Sequence, residues 1–502
     1  MTSLSFHHVK EPLLEFGFGQ KFDDPRNGLF LFGPLAEKKP SSMRIGVVGT
    51  PAGIARYRSW VRRITGFLPA ARPDAVHQVA FPGFEATFRT PWPENPVVEL
   101  AISPHEISRK LRLSDRHVGL YDVVSLFEEP IRERLRSDDD QVDLWYVVVP
   151  EEVYTLGRPL SRVPFVERVS IERRINARIA ARLRSQPSLF QEDMKEARIY
   201  AYELDFHNQL KARLLDKGAV VQIVRETSLA EISDGAETKR RLQDQATLAW
   251  NLCTTSFFKA GGRPWKLGNV RDGVCYIGVI FKKDAADPSG VNACCGAQMF
   301  LDSGDGLVFK GALGKWSSET KSFHLSKTDA KELISSVLAE YKRSGGKLPN
   351  EVFLHAKTRF NDEEWEGFRE GLPEDGIKLV GVRISRSNDV KAYRMGSSPI
   401  LRGTWLKVSE RRGYLWTAGY VPRLGTYAGR EVPNPLSIEI TRGDSDISQV
   451  MADVMGLTKV NFNACIYGDG LPVTLRFADS VGEILTAGPT GELPPLPFRH
   501  YI

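Results

Sequence analysis

The chain has 502 residues and a formal net charge of +6, with 42% apolar and 26% charged residues. That length exceeds what one hydrophobic core usually serves, so two or more domains are expected, and the apolar and charged fractions are those of an ordinary soluble globular protein. Its five cysteines, Cys253, Cys275, Cys294, Cys295 and Cys465, are odd in number and lack Cys-x-x-Cys spacing, which argues for a reducing cytosol and against a disulfide framework or a zinc site.

Met1 to His8 shows no charged stretch followed by an apolar one, so no signal peptide is read, and no apolar run approaches a membrane span. A cytoplasmic protein with no membrane contact is expected. Residues 1–40 read as a loop-rich N-terminal segment with short apolar pieces such as Leu29-Phe30-Leu31-Phe32-Gly33-Pro34. Met43 to Thr50 reads as a buried strand feeding a helix from Pro51 through Val61. Gly49, Thr50 and Gly53 in this βα unit either cradle a nucleotide phosphate or make a plain turn; the absence of Gly-x-Gly-x-x-Gly and Gly-Lys-Ser/Thr favours the turn.

A helix is expected over about 120–136, then a solvated acidic run at Asp138, Asp139 and Asp140, then a buried strand from Asp143 to Val149 closed by Pro150. Strands alternating with helices imply a mostly parallel sheet covered on both faces. Between 158 and 184 the composition turns to arginine: Arg158, Arg162, Arg168, Arg173, Arg174, Arg178, Arg182 and Arg184, with few acids to offset them. Two readings stand side by side, an amphipathic helix lying on phosphates or an acidic partner, and an exposed helix with incidental charge.

The stretch from Glu203 to Leu215 places His207 and Lys211 four apart, on one face of a helix. A strand at Val221–Val224 carries Gln222, and a long helical pattern ends at Phe257-Phe258-Lys259-Ala260-Gly261-Gly262. Lys and His supply charge and donors, and Gln a neutral amide, so these residues are suited to converge on one anion such as a terminal phosphate. The alternative is four solvated residues on unrelated faces, and spacing alone favours it.

From about Gly268 the pattern changes. Val274–Phe281 and Ala293–Leu301 read as strands, and the turn Ser303-Gly304-Asp305-Gly306 leads into Leu307–Gly311 as a hairpin. A helix is expected from a Thr328 cap, with Leu333, Ile334, Val337, Leu338 and Tyr341 on one face and Gly345-Gly346 at its end, followed by a strand at Glu351–His355. Hairpin, helix, central strand is the order of a ribonuclease-H-like α/β domain. More hairpin material runs from Leu379 to Tyr420, a helix is expected over about 445–455, and the apolar end Leu493–Ile502 is expected to dock rather than fray.

Phe206-His207 to Lys211, Gln222 and Phe258–Leu267 resemble the phosphate-pocket motif of Argonaute MID domains, and Leu457–Asn463 with Leu471–Asp479 resemble the end of a PIWI domain. The resemblance is closest to short prokaryotic Argonautes, within them to the branch paired with a TIR-APAZ protein (SPARTA). It implies an α/β chain with an N-terminal segment (1–40), a Rossmann-like MID domain (41–266, with the basic insertion near 158–184) and a ribonuclease-H-like PIWI domain (267–502). Carried over by position, His207 stands where the family stacks on the guide's first base. Lys211, Gln222 and Lys259 stand at 5′-phosphate ligands, and Thr255 where many relatives carry a second Lys. A C-terminal carboxylate at Ile502 is expected to hold Mg2+ with the guide phosphate, for binding and not catalysis. Lys459, Asn461 and Arg476 are expected on the guide backbone.

Slicing Argonautes use four acidic or His ligands for two metal ions. Here Ile280 and Ala356 take the first two positions, neither able to ligate a hard cation, and only Asp479 is acidic; Asp302, Asp305 and Asp362 read as turn residues. The resemblance therefore implies a non-cleaving carrier of a short 5′-phosphorylated guide RNA that recognises single-stranded DNA. Its expected partner is a TIR-APAZ protein that alone degrades NAD, with oligomerisation of the heterodimer on target binding and a role in defence. Alternatives are a sirtuin-like or nuclease effector in the partner, an active ribonuclease-H-type nuclease, or a nucleotide enzyme built on Met43–Val61.

Overall fold

The computed structural model describes residues 5–137, 141–230, 243–269, 271–283, 292–300, 306–373, 376–427, 429, 431–489 and 494–502. The acidic run 138–140, the turn residues 303–305 with Asp302, and the side chains of Cys294 and Cys295 lie outside that description.

Four parallel strands build the first sheet, in the spatial order Val98–Ala101, Ile45–Gly49, Leu144–Val149, Val221–Arg225. Along the chain this is 2-1-3-4, the doubly wound arrangement whose crevice lies outside the carboxyl ends of the strands. Ile45–Gly49 and Leu144–Val149 are buried at every position, because helices cover both faces, and this is why each reads as an unbroken apolar run. Thr50 caps the helix Pro51–Thr65 by accepting from Gly53 N. Its hydroxyl donates to Glu226 Oε1 at 2.5 Å, and Arg56 pairs with the other oxygen. A carboxylate thus occupies the helix N-terminus that a nucleotide phosphate would need, and Gly49–Gly53 is a structural turn.

The second sheet has eleven strands among the described residues. Its centre runs Gly306–Ser317, Asn292–Phe300, Val274–Lys283, Glu351–Ala356, Lys378–Arg386, which is 3-2-1-4-5 along the chain, with the last three parallel. This is the ribonuclease-H-like order expected from sequence. Alternate residues of Val274–Lys283 face different cores. Cys275, Ile277 and Val279 pack with the helix Lys327–Gly345, while Tyr276 and Ile280 pack with residues of the helices Ile447–Leu457 and Ala478–Thr486. That long helix is capped by Ser326, whose side chain accepts from Asp329 N, two residues before the expected Thr328.

Within the loop-rich N-terminal segment, Ser5–His8 forms an edge strand on Thr404–Ser409, and Leu14–Glu15 pairs with Lys266–Leu267. The arginine-rich insertion is not one helix. It is irregular to Asn176, then forms the helices Ala177–Ser185 and Gln191–Ile199 around a small core of Val118, Ile175, Ala180, Ala197 and Tyr200. Acids further along the chain offset part of its charge, with Arg173 pairing with Glu196 at 3.6 Å and Arg174 with Asp193. The apolar C-terminal end is docked, with Phe498, Tyr501 and Ile502 buried. Among the described residues no helix is long and apolar enough to cross a membrane.

Candidate nucleic-acid interface

Asp205 caps the helix Phe206–Leu214, accepting from Asn208 N. The helix runs beside the strand Val221–Arg225 and the helix Gln245–Lys259. At the carboxyl end of the first sheet these elements enclose a cavity of about 430 Å3, lined by His207, Tyr154, Arg158, Ile223, Arg225 and Leu252, with Ser480 and Glu483 of the second domain closing one side. Arg158 and Arg225 lie over the Tyr154 ring, 4.2 and 3.8 Å from its centroid, so the cavity wall carries two guanidinium groups held by one aromatic ring.

One to two turns further along the same helices sit Lys211 and Lys259, 3% and 2% exposed. Lys211 Nζ donates to the main-chain oxygens of Tyr501 (3.0 Å) and Ile502 (2.6 Å). Lys259 Nζ donates to Val221 O and Gln222 Oε1, both at 2.9 Å. Among the described residues no carboxylate side chain pairs with either ammonium. Burial pushes Lys211 down to about 7, and burial together with the Lys211 charge pushes Lys259 well below the usual lysine value. Burial and then Lys211 push His207 down to about 3, so its ring is neutral at physiological pH and accessible from the cavity. Four of the sequence-predicted residues, His207, Lys211, Gln222 and Lys259, therefore do gather at one place, and Ile502 joins them; they are not solvated residues on unrelated faces. Thr255 is buried on the same helix as Lys259, but its hydroxyl donates to Asn251 O at 2.9 Å, so it has no proton left for a phosphate.

Two residues missed by motif reading belong to this cluster. His500 is buried, with Nδ1 3.3 Å from Ala219 O, and is lowered to about 4 by burial and then by Arg499, with Lys259 and Lys211 adding to it. Arg499 reaches Gly261, whose φ is +93° and where a Cβ would fall 3.1 Å from the Arg499 Nη1. The available signal was a basic pair inside an otherwise apolar chain end.

The expected backbone contacts divide. Lys459 is buried, its ammonium bonded to Asp23 O (2.6 Å) and Glu11 Oε1 (2.8 Å) and 3.8 Å from the centroid of Tyr467. Asn461 is buried, donating to Asp469 Oδ2 at 2.9 Å and accepting from Asn463 N at 2.9 Å. Both are spent inside the protein, because the N-terminal segment and the loop at Asp469 fold over them. Only Arg476 reaches the surface, with Nε donating to Asp469 at 2.7 Å.

At the ends of the central strands, Ile280 and Ala356 are buried among apolar neighbours. Asp479 is exposed, and both of its oxygens accept from Lys357 Nζ, at 3.0 and 3.1 Å. Asp362 accepts from Arg442 at 2.5 Å. Among the described residues no three His, Cys, Asp or Glu side chains gather as a metal site.

No protein-family model matches the chain, and no curated protein matches it. Solved structures do. A Clostridium butyricum Argonaute bound to a guide DNA and a 19-mer target DNA superposes with a TM-score of 0.61 at 14% identity, covering 98% of this chain and 55% of that one. Drosophila Piwi gives 0.60 at 14% identity (99% and 56%), and Aa-Ago with externally bound siRNA gives 0.55 at 13% (99% and 56%). The chain spans just over half the length of these structures, and over that span it has the mixed α/β, MID–PIWI fold of the Argonaute and Piwi proteins.

Proposed function

We propose that this chain carries a short 5′-phosphorylated guide RNA and uses it to recognise complementary single-stranded DNA. The observation that carries the reading is the pair of buried ammonium groups, Lys211 and Lys259, held by main-chain and amide oxygens and lowered by burial. Buried cations without carboxylate side chains to pair with are costly, and a terminal phosphate both neutralises them and takes charge-assisted hydrogen bonds. In this reading neutral His207, which lines the cavity, stacks on the first base. Specificity then comes from base pairing, while the protein supplies phosphate contacts and shape.

The chain binds without cutting in this reading, supported by the apolar Ile280 and Ala356 and by the engagement of Asp479 with Lys357. Effector activity, NAD degradation by a TIR-APAZ partner with oligomerisation of the heterodimer on target binding, belongs to that partner, in prokaryotic defence in the cytoplasm. A Mg2+ ion at the guide phosphate fits only in part. The Ile502 oxygen expected to hold it already accepts from Lys211 at 2.6 Å, so the phosphate must supply most of the hard oxygen ligands.

Purification from its host, followed by sequencing and end-labelling of bound nucleic acid, tests the proposal. Short 5′-phosphorylated RNA is the expected cargo. Absence of nucleic acid from both the chain and its complex would sink the reading, and guide-directed cleavage lost on Asp479→Asn would overturn the non-cutting part.

A further inference from the structure

The helix Phe206–Leu214 has a second working face. Gln209, Ala212 and Arg213 lie about half a turn away from His207 and Lys211, and Ala212 and Arg213, with Asp216 of the turn that follows, line a separate cavity of about 490 Å3, a volume in the range of small-molecule sites. Its floor is built and internally satisfied. Arg213 lies 4.2 Å from the ring centroid of Tyr121 and 5.7 Å from that of Tyr202, and the two rings are 5.4 Å apart. The guanidinium donates to Tyr121 O at 3.1 Å and Ser125 Oγ at 2.8 Å and pairs with buried Glu128, which also takes Arg132 at 2.6 Å.

The rim is not neutralised. Lys195 and Arg198 stand three apart on one face of the helix Gln191–Ile199, both exposed and both lining the cavity. Neither enters an ion pair among the described residues, whereas Asp216, the acid on the rim, is already shared between Lys217 and Arg132. An aromatic floor with a surplus of cations at the mouth selects a ligand that has an aromatic part and a negative part.

We propose that this cavity binds a nucleoside phosphate, its base against Tyr121 and Tyr202 and its phosphates on Lys195 and Arg198. The site shares no lining residue with the cavity beside His207, so it holds or fails independently of the guide reading. The test is a titration of the full chain with a fluorescent adenosine or guanosine triphosphate analogue, alongside inorganic triphosphate. Saturable binding is expected, weakened at least tenfold by the surface double change Lys195→Ala/Arg198→Ala. Tyr202→Leu should weaken the nucleotide several-fold while leaving inorganic triphosphate unchanged, with a melting curve confirming that the variant folds. Bound analogue should survive a saturating 5′-phosphorylated RNA. No saturable binding, indifference to Lys195→Ala/Arg198→Ala, or displacement by that RNA overturns the site. Inorganic triphosphate binding as tightly as the nucleotide overturns the nucleoside assignment.

Discussion

Lys211 and Lys259 are ordinary in sequence and unusual in place. Lys211 is lowered from 10.5 to about 7 by burial, so between those values the unfolded chain binds more protons than the folded one. Stability of the empty protein should therefore rise with pH from about 7 toward 10.5 and gain nothing from this group below 7. A bound phosphate favours the charged lysine, so binding near pH 8 should take up a proton, and guide affinity should fall as pH climbs above 7. Calorimetry in two buffers of different ionisation enthalpy reads that uptake directly; identical heats would remove Lys211 from the phosphate site. His-x-x-x-Lys alone did not separate a pocket from a solvated face, because convergence depends on a strand and a helix tens of residues away. Conversely, Lys459 and Asn461 looked like surface donors. Nothing local announces that Glu11 and Asp23, more than four hundred positions earlier, would bury that lysine.

At the scale of elements, strong periodicity was legible and irregular connections were not. The strands Ile45–Gly49, Leu144–Val149 and Val274–Lys283 were readable because burial on both faces demands continuous apolar runs. The insertion after Arg158 was misread as one helix, since its small core depends on Val118 from a distant helix. Gly278 marks a closer constraint. A Cβ there would overlap the main-chain oxygen of Thr474, in the short helix Val473–Arg476 that rests on the sheet. His355, level with Gly278 on the neighbouring strand, bonds Thr474 Oγ1 at 3.0 Å. Gly278→Ala should cost about 1–3 kcal/mol by overpacking, seen as a lower denaturant midpoint. An unchanged midpoint would mean that the helix rests there loosely.

Over the whole molecule, the two domains share one site. The C-terminal residues of the second domain supply the oxygens that Lys211 meets, and the helix Ala478–Thr486 closes the cavity beside His207. The N-terminal segment is likewise tied across the molecule by the Glu11–Lys459 pair. Lys459→Ala leaves Glu11 with Arg402 as its remaining partner and removes the bond to Asp23 O, so it should destabilise by roughly 1–3 kcal/mol, exposing the first residues to limited proteolysis while sparing preference for a 5′-phosphate. Loss of that preference would place Lys459 on the guide after all. A guide held by several phosphate contacts should also lose affinity steeply as salt rises.

The proposed role of Lys211 and Lys259 in reading the guide's 5′ end stands or falls on paired equilibrium titrations with 5′-phosphate and 5′-hydroxyl forms of one short RNA. The native chain should prefer the phosphate form. Lys211→Ala and Lys259→Ala should each cost roughly 1.5–3 kcal/mol, the scale of a hydrogen bond to a charged group, with the preference collapsing alongside. Preference that survives both substitutions in a folded protein would contradict the account and place the end-reading pocket elsewhere.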